Sequence, residues 1–156
     1  MINMIQNAKD QAAALAMSAY QAAVRDGTLP QAEVKTAPVE IPKDTANGDF
    51  TTTFALAASK LLRQPPQKIA QALLDHMDLA GSYFASAEIA GPGFLNFTLG
   101  PKWYGEVLSA VETEGDRYGS GEEGRGKRVM VEFVSANPTG PMHMGNARGG
   151  VLGDTL

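Results

Sequence analysis

A histidine delivered by a Gly/Pro loop into a Gly-rich helix start can take part in holding an anion, and the last stretch of this chain contains that arrangement. Residues 129–156 read VMVEFVSANPTGPMHMGNARGGVLGDTL. Val129, Val131, Phe133 and Val134 supply the β-branched and aromatic run of a buried strand, which Asn137-Pro138, Thr139 and Gly140-Pro141 then break. A polar loop carries His143 to the helix start. In a strand, turn and helix N-terminus, unpaired backbone N–H groups and the helix dipole both favour negative charge, so a triphosphate is the ligand this segment suggests.

Such a segment needs a folded body to hold it. With 156 residues, 44% hydrophobic and 19% charged, the chain is long enough for one globular domain with an ordinary core and has little room for two complete ones. It has no cysteine, which rules out a disulfide framework or a thiolate zinc site and fits a cytoplasmic protein. The N-terminal segment MINMIQNAKDQAAALAMSAYQ places Lys9 and Asp10 in its first turns and reads as an amphipathic helix, neither a signal peptide nor a membrane span. A net charge of -4 argues against a nonspecific nucleic-acid coat, while leaving room for a local patch that reads one RNA feature.

Taken in order, apolar residues from Ile5 through Ala8, Ala12, Leu15, Ala16, Ala19, Ala23 and Val24 recur at helical spacing, and Gly27 supplies the stop. Glu33 to Ile41 alternates around Pro38 as an edge or bulged strand. Thr45 to Asp49 is turn chemistry. A helix is expected from Phe50 to Leu62, with Phe54, Leu56, Ala57, Leu61 and Leu62 inward, and Gln64-Pro65-Pro66 ends it and opens another helix from Pro66 to Leu79. Lys60, Arg63 and Lys68 lie on the polar side of this pair, as a solvated face or as an RNA-facing patch. His76 has only Asp75 and Asp78 near it in sequence, so no metal site is expected.

Tyr83 to Ala90 and Phe94 to Leu99 flank Gly91-Pro92-Gly93 and read as a hairpin. Alternation turns Leu95, Phe97 and Leu99 inward and puts Phe94 and Asn96 on the opposite face. An aromatic plane beside an amide suits stacking and edge-reading of an unpaired base, and is equally compatible with ordinary strand decoration. Pro101 to Glu114 follows as a helix with Trp103, Val107, Leu108 and Val111 apolar, ended by Gly115. The polar, Gly-rich run 116–128 reads as a linker. Its Gly119, Gly121 and Gly124 match a dinucleotide fingerprint, and Gly121, Gly126 and Lys127 most of a P-loop. Both motifs fail on context, because a strand is expected after them and Arg128 stands where a P-loop needs Ser or Thr.

The run VEFVSANPTGPMHMGNARGG resembles the first signature of class I aminoacyl-tRNA synthetases in the form found in arginyl-tRNA synthetase. The general signature is a His-x-Gly-His tetrad; here it reads His143, Met144, Gly145, Asn146, and Asn146 can donate a hydrogen bond but cannot become a cation. Glu132, Ser135, Ala136, Asn137, Pro138, Thr139 and Gly140 ahead of the tetrad make the likeness more specific. VEIPKD with GDF, and then AGPGFLNFTL, are similar to the N-terminal additional domain of the same family, in the same order and at fitting distances.

The resemblance implies an α+β fold: residues 1–115 as a tRNA-contacting additional domain with an antiparallel sheet packed by helices, 116–128 as linker, and 129–156 as the first strand and helix start of a Rossmann-like catalytic domain. It implies an arginine–tRNA ligase that activates arginine with ATP, brought with Mg2+ as substrate and with no protein-bound metal, and transfers it to tRNA(Arg) in the cytoplasm. His143 and Asn146 would be catalytic, and His143, Gly145 and Asn146 would cradle ATP. Glu132, Ser135 and Asn137 would bind arginine, Glu132 meeting its guanidinium or its ammonium group. Phe94 and Asn96 would contact tRNA, at a D-loop base. Neither a membrane nor DNA is implied as a partner, and the parent is expected to be monomeric. The second, Lys-rich signature has no counterpart in the sequence, so this polypeptide is expected to be inert by itself. The alternative is a stand-alone noncatalytic tRNA-binding module. An unpaired strand at Val129–Val134 is expected to be disordered, to pack on the first domain, or to recruit another chain.

Overall fold

The computed structural model describes residues 3–36, 38–122, 124–135, 137 and 140–155. Its first element is α1, Met4–Arg25, opened by the Asn3 side chain accepting from the Gln6 N–H at 3.0 Å. Ala8, Ala12, Ala16, Ala19 and Ala23 are buried along one stripe. Their small side chains let α1 lie close to its neighbours. Tyr20 adds an aromatic anchor to that face: its hydroxyl accepts from the Ala32 N–H at 2.9 Å and lies within donating distance of the Pro30 and Ala32 carbonyls, tying the following segment back to the helix. Ile5, expected inward, is exposed, because the buried stripe runs through Met4 and Ala8 instead.

Four strands form one antiparallel sheet in the order β1-β2-β4-β3, with β1 Val39–Glu40, β2 Phe50–Thr52, β3 Phe84–Ala90 and β4 Phe94–Leu99. The expected edge strand at Glu33–Ile41 is reduced to the two residues of β1, and Ala37 lies outside the described residues. The helix expected from Phe50 is a strand first: β2 pairs with both β1 and β4, and only after Thr52 does helix α2, Phe54–Leu62, begin. Thr51, Thr52 and Thr53 are β-branched and accept this, and the ladder offered by β4 outweighs any helical preference of Phe50. Ala55 and Ala58 join Phe54 and Leu62 as α2's buried residues, whereas Leu61, expected inward, is exposed.

Helix α3, Pro66–Asp75, starts with proline in its first turn and buries Ile69, Ala70, Ala72 and Leu73. It stops before the expected Leu79, at the His76 cap, while Met77 and Leu79 still pack against the core. Residues of α1, α2 and α3 share one apolar cluster with Phe50, Phe84, Leu95 and Phe97. Phe54, Leu95 and Phe97 are essentially fully covered. Burial of each is worth about 1.5–3 kcal/mol. Because side chains alternate along a strand, the inward turn of Leu95 and Phe97 sends Phe94 and Asn96 to the side away from this cluster.

Helix α4, Pro101–Glu114, begins where expected and ends at Gly115, but Ala110 is its one buried residue. Trp103 is half-buried and donates its indole N–H to the Met4 carbonyl at 3.1 Å. Leu108 and Val111 face solvent. Contacts divide the chain into unit 1, Met1–Tyr118, and unit 2, Gly119–Leu156. In unit 2 the expected strand Val129–Val134 does not form: these residues make no ladder, and Val134 has φ 54°, a left-handed conformation outside regular strand geometry that a β-branched residue adopts only under strain. Helix α5 runs Met144–Thr155. Among the described residues no helix is long and apolar enough to cross a membrane.

Candidate functional site

The open face of the sheet is organised by cross-strand register. Glu40 pairs with Thr51, Thr51 with Asn96, and Asn96 with Glu88, so these four form a polar row across all four strands. Phe94 lies two residues along β4 from Asn96, paired with Ala90. The sequence expectation that Phe94 and Asn96 share a face therefore matches the register, and both side chains are half-buried. They line an open cleft of about 430 Å³, whose other walls come from Glu40 to Lys43, Asn47, Thr51 and the Ala90–Pro92 turn. That is room for a nucleobase.

Two close approaches build this cleft. Gly48, at φ 78°, brings the turn Thr45–Asn47 against β4, where a Cβ would stand 2.7 Å from the Phe97 carbonyl oxygen. Asp49 then fastens it: its N–H donates to the Phe97 carbonyl at 2.8 Å, and its carboxylate accepts from the Leu99 N–H at 2.8 Å. This is how the Asn-Gly-Asp-Phe run sets Asn47 beside Asn96, whose amide donates to the Asn47 side-chain oxygen at 3.5 Å. Gly93 makes the second approach, with Pro66 within 2.9 Å of where its Cβ would be. Gln67 also donates to the Gly91 carbonyl at 3.2 Å. The first turn of α3, which carries Lys68, is thus fixed to the hairpin turn that leads into Phe94.

Unit 2 holds the other predicted residues. His143 caps α5: its Nδ1 accepts from the Gly145 N–H at 3.0 Å, while the Asn146 side-chain oxygen accepts from the His143 N–H at 3.2 Å. This is a reciprocal capping box made by His and Asn. An Nδ1 that accepts puts the ring proton on Nε2, leaving that nitrogen as a donor. The N–H of Gly145, a residue expected to help cradle ATP, is occupied by the histidine ring. His143, Asn146 and Val134 border one open pocket of about 560 Å³ with Met142, Ala147 and Gly150. Ser135 donates to Glu132 at 2.5 Å, so two of the three predicted arginine-binding residues are joined; the third, Asn137, is exposed. Ala136, Pro138 and Thr139 lie outside the described residues.

The groups with displaced proton affinity lie away from both places. Hydrogen bonds from Thr28 and then His76 hold the Asp26 carboxyl down at about 2, and Asp26 and then the Ala72 carbonyl raise His76. The His76 Nε2 is 2.5 Å from Asp26 and Nδ1 is 2.7 Å from Ala72 O; an acceptor at each nitrogen favours the protonated ring, in line with its raised proton affinity. A hydrogen bond to Glu106 pushes the Tyr83 phenol up. These link elements of unit 1 and do not border the cleft. Among the described residues no three His, Asp or Glu side chains are grouped to hold a metal ion.

Comparison with known proteins decides the relationship. Residues 5–99 match the family described as the arginyl tRNA synthetase N terminal domain. The chain belongs to the arginyl-tRNA synthetase family. An arginine–tRNA ligase of Acetivibrio thermocellus is 46% identical over 156 residues, all of this chain and 28% of the relative. One of Caldanaerobacter subterraneus is 42% identical over the same 156 residues, and one of Staphylococcus epidermidis 36% over 150. The chain spans about 28% of the length of these relatives and is the N-terminal part of such a synthetase.

In this synthetase fragment Phe94 and Asn96, expected on one face, line the same cleft, whereas the walls around them were not expected from the sequence. Asn47, Thr51 and Glu40 enter the cleft only because β2 lies between β1 and β4. The signal available was the run Thr51-Thr52-Thr53, which favours a strand over the first turn of a helix.

Proposed function

We propose that this chain is the N-terminal part of a class I arginine–tRNA ligase that activates arginine with ATP and transfers it to tRNA(Arg) in the cytoplasm. Unit 1 serves as the tRNA-contacting domain, with an unpaired base stacked on Phe94 and read along its edge by Asn96. Lys43 at the cleft, and Lys68 beside the hairpin turn, attract the RNA backbone near that base. Unit 2 begins the Rossmann-like catalytic domain and supplies one wall of the ATP and arginine pocket: the His143 Nε2–H donates toward phosphate, Gly145 lets adenine approach the backbone, Asn146 holds the loop, and Glu132, Ser135 and Asn137 face arginine.

The observation that carries this reading is the family match over residues 5–99 falling on a sheet whose uncovered face pairs an aromatic side chain with an amide at a base-sized cleft. The chain alone contributes tRNA binding and no catalysis. Fluorescence anisotropy with a tRNA(Arg) transcript tests the first half: Phe94→Ala is expected to weaken binding by about tenfold or more, since base stacking on an aromatic ring is worth ~1–3 kcal/mol. Arginine-dependent ATP–pyrophosphate exchange tests the second, and sustained turnover by the 156-residue chain would contradict it.

A further inference from the structure

Thr51 stands in the middle of the polar row, with Glu40 opposite it on one side and Asn96 on the other. The residue lines the cleft, yet its hydroxyl oxygen is buried and, among the described side chains, is the one buried polar atom with no hydrogen-bond partner. Neither neighbour in the row takes it. A buried hydroxyl left unpaired is unfavourable, and valine would fill the same volume without leaving a donor and an acceptor unmet. Its neighbour Thr52 is also buried, but the Thr52 hydroxyl donates to the Pro38 carbonyl at 3.1 Å, so the unmet valence belongs to the cleft-facing member of the pair.

We propose that Thr51 is a specificity-determining residue of the cleft, its hydroxyl supplying a hydrogen bond to the edge of the unpaired base that stacks on Phe94. This rests on the reading of the cleft as a base site. Rotation about χ1 would bring Oγ1 from its buried, unpaired position toward the cleft that Thr51 lines. There the hydroxyl offers one donor and two acceptor lone pairs, next to the Asn96 amide. Asn47 acts as a positioning residue: its side-chain oxygen, 3.5 Å from the Asn96 amide nitrogen, favours the orientation in which the rest of that amide meets the base. An aromatic surface, an oriented amide and a hydroxyl freed by rotation give three contacts to one base, where sequence alternation alone supplied two.

The test uses the 156-residue chain, a tRNA(Arg) transcript, and versions of that transcript with single abasic D-loop nucleotides. One abasic position should abolish the contribution of Phe94. Thr51→Val is expected to lower affinity for the intact transcript about five- to tenfold, to leave binding of that abasic transcript unchanged, and to leave the melting temperature equal or higher. Thr51→Ser should restore affinity to within about twofold of the parent. If Thr51→Val binds the intact transcript normally while Phe94→Ala does not, the role of Thr51 is overturned and the base site stands. Equal weakening on intact and abasic transcripts, or a lower melting temperature, would make Thr51 structural and also overturn it. If Phe94→Ala itself binds normally, the base site fails and Thr51 with it.

Discussion

Unit 1 and unit 2 treat their apolar side chains in opposite ways. In unit 1, helices α1 to α3 and the inner face of the sheet close on one cluster, so that Leu95 and Phe97 have no exposed surface. In unit 2, Val129 and Met130 are 76% and 92% exposed, and Phe133 and Val131 also face solvent. Both sequences contain good strand formers. The difference is that β4 has β2 and β3 on its two sides, whereas 129–135 has no second strand beside it among the described residues. Strand propensity becomes a strand only where a neighbour completes the hydrogen-bond ladder. Helix α5 forms because its hydrogen bonds are internal and His143 with Asn146 caps its start.

The largest test of this contrast is a matched pair of truncations. Phe97→Ala should cost unit 1 about 3–5 kcal/mol in urea unfolding. Phe133→Ala should change stability by less than about 0.5 kcal/mol, as expected of an exposed side chain. Comparable losses would break the comparison. Tyr20→Phe comes next: it strands the Ala32 N–H and frees the segment after α1, an expected loss of about 1–3 kcal/mol by the same measurement.

Smaller again is the pH dependence of the link between the ends of α1 and α3. His76 has its proton affinity raised above the ordinary value of 6.5, so its contribution is complete below that pH and is lost as pH rises through the higher folded value. Asp26 is lowered from 3.8 to about 2, so its contribution is present above 3.8 and lost as pH falls toward 2. Melting temperature measured from pH 3 to 8 should therefore be highest between about 4 and 6.5 for this pair. Asp26→Asn should flatten both flanks. The smallest effect is expected from ending the chain at Tyr118, which should leave the unfolding free energy of unit 1 within about 0.5 kcal/mol. A collapse of unit 1 would mean that its core depends on unit 2.

Much of unit 1 was legible. The spacing of alanines gave α1, Pro66 and Pro101 marked the first turns of α3 and α4, and Gly91-Pro92-Gly93 gave the β3–β4 hairpin. These signals are local. Strand β2 was hidden because Phe50 to Leu62 carries enough apolar residues for one helix, and what converts its first three residues is pairing with Phe97, Asn96 and Leu95, more than forty residues away in the chain. The Asp26–His76 pair spans a similar separation and leaves no mark at metal-ligand or helical spacing. At α4 the apolar pattern was read correctly as a helix, but its periodicity did not reveal that Leu108 and Val111 face solvent: periodicity gives a helix its stripe without saying what covers it.

The sequence by itself determined the family, the helices with their proline and glycine boundaries, the hairpin, and the placing of Phe94 and Asn96 on one face. Each follows from neighbouring residues or from a motif a few residues long. Tertiary structure alone decided that β2 would lie beside β4, and with it the cleft, the unpaired hydroxyl of Thr51 and the contact of Asn47 with Asn96. Register between strands distant in the chain is set by which apolar faces can be buried together, and that is a property of the assembled sheet and not of any one segment.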